Sequence, residues 1–331
     1  MKIRVVQFGL GPIGQACVKV LLQKPAVELV GAIDIDPAKT GRKVGEVCGL
    51  KGPLDALVRN DAQAALAEWR PQVVVHTTSS FLDKIEEQLA EIIRSKAHLV
   101  SSSEELFFPF ERNPEFCNRI DRLAKQHNVA VVATGVNPGF TMDVLPLCLT
   151  GVCTNVKAIK ISRIGDASNR RLPFQQKIGA GMAQPEFRKR LAAGGFGHIG
   201  LRESAQIVAK TLGWEIESYK GTLQPVIAAK RVKTKYLTVE KGQVAGIHQT
   251  LRCKIQRKDA LVFDWMMFVG AKETYDGVEI TGDPPISMRI NGGVFGDTGT
   301  IGALVNTVPK VLRAAPGLRT MADLPVPYAF L

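Results

Sequence analysis

Aromatic residues are scarce in this 331-residue chain, at 6%, with three tryptophans and four tyrosines. None of the short basic clusters, at 170–171, 188–190 and 230–235, is interleaved with stacking rings. The excess of 43 Lys and Arg over 31 Asp and Glu therefore predicts an anionic small-molecule ligand and no nucleic-acid partner. Long apolar runs are missing too. The longest uncharged stretch, residues 128–142, is broken by Gly135, Asn137, Pro138 and Gly139, short of the roughly 18 consecutive apolar residues a membrane span requires. No membrane partner is expected. The six cysteines, at 17, 48, 117, 148, 153 and 253, form no CxxC pair, and none of the five histidines stands at zinc-ligand spacing. No metal site is expected. The amino terminus enters a strand-like run at once, without the apolar core and small-residue cleavage site of a secretory leader, so a cytoplasmic protein with reduced thiols is expected.

What is present suffices for two domains: 45% hydrophobic residues over about twice a typical domain length of roughly 150 residues. Up to about residue 140, short β-branched runs at 3–8, 27–34, 73–77, 98–101 and 129–133 alternate with helix-period segments at 12–23, 82–95 and 114–127. That alternation predicts an α/β domain, a Rossmann-type doubly wound parallel sheet over residues 1–141. From residue 142 to 300 the apolar runs at 156–164, 214–220, 243–256, 261–270 and 286–290 are separated mainly by turns. They predict an α+β domain with a mostly antiparallel sheet, carrying helices at 185–193 and 201–212. Residues 301–331 are read as a late helix, 302–314, and a tail that packs back on the first domain.

Gly9-Leu10-Gly11-Pro12-Ile13-Gly14 is a GxGxxG that leaves a strand and opens a helix, and Asp34 ends the following strand. The expected roles are physical: Gly9 makes the tight turn, Gly11 lets a diphosphate approach the backbone, and Gly14 permits close helix packing. Asp34 accepts from ribose hydroxyls and favours NAD, whereas Lys39, Arg42 and Lys43 suit a 2′-phosphate. NAD or NADP is expected, with dual use open. Thr77, Thr78 and Ser79 leave the 73–77 strand at its carboxyl end and are read as cofactor contacts or helix caps. Ser101-Ser102-Ser103-Glu104-Glu105-Leu106 leaves the next strand at the same edge. Its two carboxylates are either a general base and its neighbour or complements of a helix dipole. Asn137 and Pro138, in Gly135 to Phe140, are read as a nicotinamide contact or a hinge.

Taken together, the Gly9 to Gly14 loop, residues 102–106 and 135–140, Gly165-Asp166-Ala167-Ser168-Asn169-Arg170-Arg171, residues 172–179 and Pro316-Gly317-Leu318-Arg319-Thr320-Met321 resemble the 2,4-diaminopentanoate dehydrogenase family. That family includes native amine dehydrogenases and is related in fold to dihydrodipicolinate reductase. It often carries Thr-Cys before the paired acids, where this chain has Ser102-Ser103. The resemblance implies NAD(P)-dependent oxidative deamination of 2,4-diaminopentanoate or a related short amine, or reductive amination with ammonia in reverse. A carboxylate must then take a proton from the substrate ammonium and activate water against the iminium. Glu104 is the first candidate and Glu105 the second.

Phe140, Arg170, Phe174 and His198 are the candidate substrate contacts, Arg170 for a carboxylate and His198 as either a ligand or a structural histidine. The alternative readings are a dihydrodipicolinate reductase-like imine or carbonyl reductase, whose paired histidines have no counterpart here, and a non-catalytic dinucleotide sensor. A homodimer is expected, because residues 243–270 carry apolar side chains on both faces.

Overall fold

The computed structural model describes residues 2–51, 54–194 and 197–331. The chain forms two compact units, Met1–Phe140 with Phe295–Leu331, and Thr141–Val294. In the first, strands β1 (Ile3–Phe8), β2 (Val27–Ile33), β3 (Val58–Arg59), β4 (Val73–His76), β5 (His98–Ser101) and β6 (Ala130–Ala133) pair in parallel in the order β6-β5-β4-β1-β2-β3. Their valines are buried, as strands covered on both faces require: Val5, Val6, Val73, Val74, Val75, Val100, Val131 and Val132 are all shielded from solvent. Helices Pro12–Leu21, Ala62–Trp69, Glu86–Arg94 and Pro114–Gln126 carry the crossovers. Glu86–Arg94 shows the logic, burying Leu89, Ile92 and Ile93 and leaving Glu87 in solvent. Because the chain goes from β1 outward to β3 and then returns to β4 on the other side of β1, the loops leaving β1 and β4 part at a topological switch point.

The second unit contains β7 (Asn155–Asp166), β8 (Ser218–Ile227), β9 (Val232–Lys233), β10 (Thr238–Val239), β11 (Val244–Ile255), β12 (Lys258–Phe268), β13 (Tyr275–Asp283) and β14 (Ile286–Asn291). Six of these form a sheet in the order β14-β13-β7-β12-β11-β8, antiparallel at every pair except β7 with β12. Leu261, Phe263, Trp265 and Met267 point to one face of β12 and are buried, while Val262, Asp264, Met266 and Phe268 point to the other and are half-buried. Helix Leu201–Thr211 packs over β11 and β12, burying Ala205, Ile207, Val208 and Ala209.

Helix Gly296–Val311 belongs to the first unit, where β15 (Gly317–Arg319) adds to the sheet beside β6. The sequence reading started this helix at 302 and ended the second domain at 300. Gly296, Gly299 and Gly302, all poor helix formers, hide the first turns. Leu304, Val305, Val308 and Val311 are buried, and the helix lies against Pro12–Leu21 and strands β4 to β6. Strand β13 was not foreseen, since Gly277, Gly282 and three acids interrupt any β-branched pattern. Among the described residues no helix is long and apolar enough to cross a membrane, and no group of three or more His, Cys, Asp or Glu could hold a metal ion.

Candidate active site

The carboxyl edge of the first sheet gathers the loops after β1, β2, β4, β5 and β6. Gly9 takes φ +92°, and a Cβ there would sit 2.7 Å from the Thr77 carbonyl oxygen. At Gly14 a Cβ would overlap the Gly9 carbonyl oxygen, so side chains are excluded at both positions. Gly11 differs, with no atom within 4 Å of the place a Cβ would occupy. It caps helix Pro12–Leu21, and with Pro12 lacking an N–H the first-turn donors fall to Ile13 and Gly14. Open space over free amides at a helix amino end fits a diphosphate.

Buried Gln7 fixes this loop, its Nε2 donating to the Gly9 carbonyl at 3.0 Å and to Thr77 Oγ1 at 2.9 Å. Thr77 Oγ1 in turn donates to the Gly9 carbonyl at 3.0 Å. The Thr77 hydroxyl therefore shapes the glycine loop. At the end of β2, Asp34 Oδ2 accepts from Leu10 N–H at 2.7 Å and Oδ1 from Asp36 N–H at 2.9 Å. Lys39 Nζ lies 3.2 Å from Asp34 Oδ2 and 3.3 Å from Asp36 Oδ2. Desolvation opposes the Lys39 charge, but hydrogen bonds to Asp34 and Asp36 and their charges outweigh it and raise its pKa.

Beneath the next two loops runs a buried chain of hydrogen bonds. His76 Nε2 donates to Gln88 Oε1 at 2.8 Å, Nδ1 meets Ser101 Oγ at 2.9 Å, and Ser101 Oγ accepts from Ser103 N–H at 3.1 Å. Thr78 Oγ1 donates to Gln88 Oε1 at 2.7 Å, and Ser79 Oγ accepts from Phe81 N–H at 3.3 Å. Burial drives the His76 pKa down to about 4 against the Gln88 hydrogen bond, so the ring is neutral at pH 7.

The paired acids part company here. Residues 104–106 form a turn, so neither acid sits in the first turn of a following helix. Glu105 Oε2 accepts from Leu82 N–H at 2.9 Å, and the Glu105 N–H donates to the Ser80 carbonyl, which makes Glu105 a strut under the loop after β4. Glu104 Oε2 is buried with no hydrogen-bond partner among the described residues. Gln7 Oε1 and Thr134 Oγ1, at the ends of β1 and β6, are buried and unpartnered in the same way. Buried polar atoms left unpaired cost about 1–3 kcal/mol each, so a polar group that reached any of these three would be favoured.

After β6 the chain turns tightly through Gly135 to Phe140. Gly139 takes φ +132°, where a Cβ would overlap Gly135, and Thr300 Oγ1 accepts from Val136 N–H at 3.3 Å. Asn137 and Phe140 are half-buried in this turn, and Pro138 is buried.

In the second unit, Arg170 lies over the Phe174 ring, 4.1 Å from its centroid, on a loop held by Gln175 Nε2 donating to the Ser168 and Arg170 carbonyls. His198 stacks on Trp265 with centroids 4.8 Å apart, and Gln249 clamps its backbone by accepting from His198 N–H and donating to the His198 carbonyl. His198 is half-buried as a residue, and its Nε2 is buried with no hydrogen-bond partner among the described residues. Burial, with the charges of Lys177 and Arg163 nearby, pushes its pKa down to about 3. Arg163 is itself held in a buried ion pair with Asp276 at 2.5 Å.

The sequence reading missed Gln7, Gln88, Thr134 and Gln249. Gln7 alone carries a visible signal, as the one amide in the otherwise apolar end of β1. Gln88 and Gln249 look like ordinary surface residues of a helix and a strand, and only the tertiary contacts reveal them.

Residues 140–331 match the model of the 2,4-diaminopentanoate dehydrogenase C-terminal domain, and residues 2–104 that of the dihydrodipicolinate reductase amino terminus. The chain is 31% identical over 336 residues to a 2,4-diaminopentanoate dehydrogenase of Acetoanaerobium sticklandii, covering 100% of this chain and 95% of the relative. It is 27% identical to an amine dehydrogenase of Streptomyces virginiae, covering 98% and 96% of the two. The solved amine dehydrogenase of Mycobacterium smegmatis superposes with a TM-score of 0.84 at 26% identity, over 99% of this chain and 98% of that one. With one family's domain filling more than half its length and a full-length relative beyond that, the chain belongs to the 2,4-diaminopentanoate dehydrogenase family.

Proposed function

We propose that this chain is a cytoplasmic NAD(P)-dependent oxidoreductase acting on the CH–NH2 group. It deaminates 2,4-diaminopentanoate or a related short amine to the ketone and ammonia, or runs the reverse reductive amination. The observation that carries the reading is the buried, unpartnered Oε2 of Glu104 at an edge that also holds a dinucleotide-type glycine loop. The first unit takes the cofactor: Gly9, Gly11, Pro12, Ile13 and Gly14 cradle the diphosphate and Asp34 meets the ribose. Thr77, Thr78 and Ser79 form the wall after β4, and Asn137 and Pro138 face the nicotinamide. When bound, the oxidised nicotinamide supplies the hydride acceptor.

Glu104 accepts one proton from the substrate ammonium, and the freed nitrogen lone pair makes the carbon a hydride donor and leaves an iminium. Once that proton has passed to solvent, the carboxylate takes another from the water that adds to the iminium carbon. The carbinolamine then collapses to ketone and ammonia. Phe140, Arg170, Phe174 and His198 are assigned to the substrate. His198 offers a neutral ring nitrogen at pH 7, and Arg170 a guanidinium already oriented by Phe174.

The purified chain is expected to reduce NAD+ or NADP+ only when 2,4-diaminopentanoate or a short primary amine is supplied. Absence of turnover with every amine, and with carbonyl plus ammonia in the reverse direction, would leave a dinucleotide sensor as the better reading.

A further inference from the structure

We propose that His76 is a positioning residue: acting through Ser101, its ring fixes the backbone beside Glu104 and so aims the carboxylate at the substrate ammonium. The inference rests on the reading of Glu104 as the base and goes one step further, to what holds that base in place. Glu104 Oε2 has no hydrogen-bond partner among the described residues, so nothing at that oxygen orients the carboxylate and the main chain must do so. That main chain is pinned on both sides. Ser102 N–H donates to the His76 carbonyl at 3.0 Å and Ser103 N–H to Ser101 Oγ at 3.1 Å, while the Ser80 carbonyl accepts from Ser103 Oγ and from Glu105 N–H, each at 3.1 Å.

Two of these three acceptors are main-chain carbonyls. The third is a serine hydroxyl, which can turn about χ1 unless a partner holds it. His76 is that partner. Its Nε2 carries the proton, because Gln88 Oε1, 2.8 Å away, can only accept. The bare Nδ1 then accepts from Ser101 Oγ at 2.9 Å and leaves the serine lone pairs for Ser103 N–H. Burial lowers the His76 pKa and keeps the ring in this neutral form at pH 7, and stacking on Phe8, with centroids 5.5 Å apart, fixes its plane. On the far side Gln88 Oε1 also accepts from Thr78 Oγ1 at 2.7 Å, so one ring links the loop after β4 to the loop after β5. His76, Ser101 and Ser103 are shielded from solvent, so no bulk water competes for these bonds.

The test is a double-mutant cycle in steady-state amine oxidation, with Ser101→Ala made in the wild-type chain and in Glu104→Gln, and with His76→Gln and His76→Asn measured beside it. Circular dichroism confirms that each is folded, and an NADH titration follows cofactor binding. Ser101→Ala should lower kcat about 10- to 100-fold, as a base displaced by up to an ångström would, with dinucleotide affinity unchanged. On top of Glu104→Gln the same change should cost less than about twofold, because a residue that acts only through the carboxylate has nothing left to aim. In His76→Asn the side-chain oxygen takes the place of Nδ1, so it should recover most of the turnover that His76→Gln, whose amide reaches toward Gln88 instead, has lost. If Ser101→Ala does not fold, the same cycle is read with His76→Gln. A Ser101→Ala chain as active as wild type, an equal loss with and without the Glu104 carboxylate, or a His76→Asn no faster than His76→Gln would each overturn the assignment. Full activity in Glu104→Gln overturns the reading of the base instead.

Discussion

Three glycines of one hexapeptide illustrate how differently identical residues are constrained. Gly9 and Gly14 are glycine because a side chain would strike backbone of the chain itself, whereas Gly11 is next to nothing that the chain provides. Replacing Gly14 by Ala should therefore cost stability, through a clash with the Gly9 carbonyl that backbone movement must relieve. Gly11→Val should leave the melting temperature near that of wild type and yet abolish dinucleotide binding, because its side chain fills only the diphosphate's path. Thermal unfolding and a binding titration on the same sample separate the two effects. A folded Gly11→Val that binds NADH normally would remove the glycine loop from the cofactor site. The pattern of the loop was readable in the sequence because the three glycines stand at a fixed spacing between a strand and the helix it opens. The division of labour between Glu104 and Glu105 was not, since adjacent residues share every local signal and only the distant Leu82 N–H tells them apart.

Among the elements, the central strands of the first sheet were legible because burial on both faces forces uninterrupted valine runs. Strands β3 and β13 and the start of helix Gly296–Val311 were not, because two-residue length or interior glycine erases the period on which such reading depends. Strand β12 was expected to be apolar on both sides, and within 261–268 only Asp264 departs from that, on the side that is half-buried. Its half-buried side presents Val262, Asp264, Met266 and Phe268 beside Ile164 of β7 and His248 of β11, with His248 Nε2 and Asp264 Oδ1 2.7 Å apart. We read this mixed face as the surface a second copy covers, making the protein a homodimer. Sedimentation at micromolar concentration should give the dimer mass, and Met266→Glu, which places a carboxylate beside Asp264 on that face, should shift it toward monomer. A wild-type monomer would contradict the reading.

For the molecule as a whole, the formal charge of +12 suits a protein whose ligands include a dinucleotide diphosphate, since a positive field raises the local concentration of anions. The proposed chemistry nevertheless comes down to one proton acceptor. The decisive comparison is steady-state amine oxidation by Glu104→Gln against wild type, with cofactor affinity measured on the same preparations. The carboxamide keeps the shape of the side chain and cannot take the ammonium proton, so turnover should fall by about 100- to 10,000-fold while dinucleotide binding is unchanged. Glu105→Gln should lose some thermal stability, as the Leu82 N–H meets a weaker, uncharged acceptor, and keep most of its turnover. Full activity in Glu104→Gln would contradict the account.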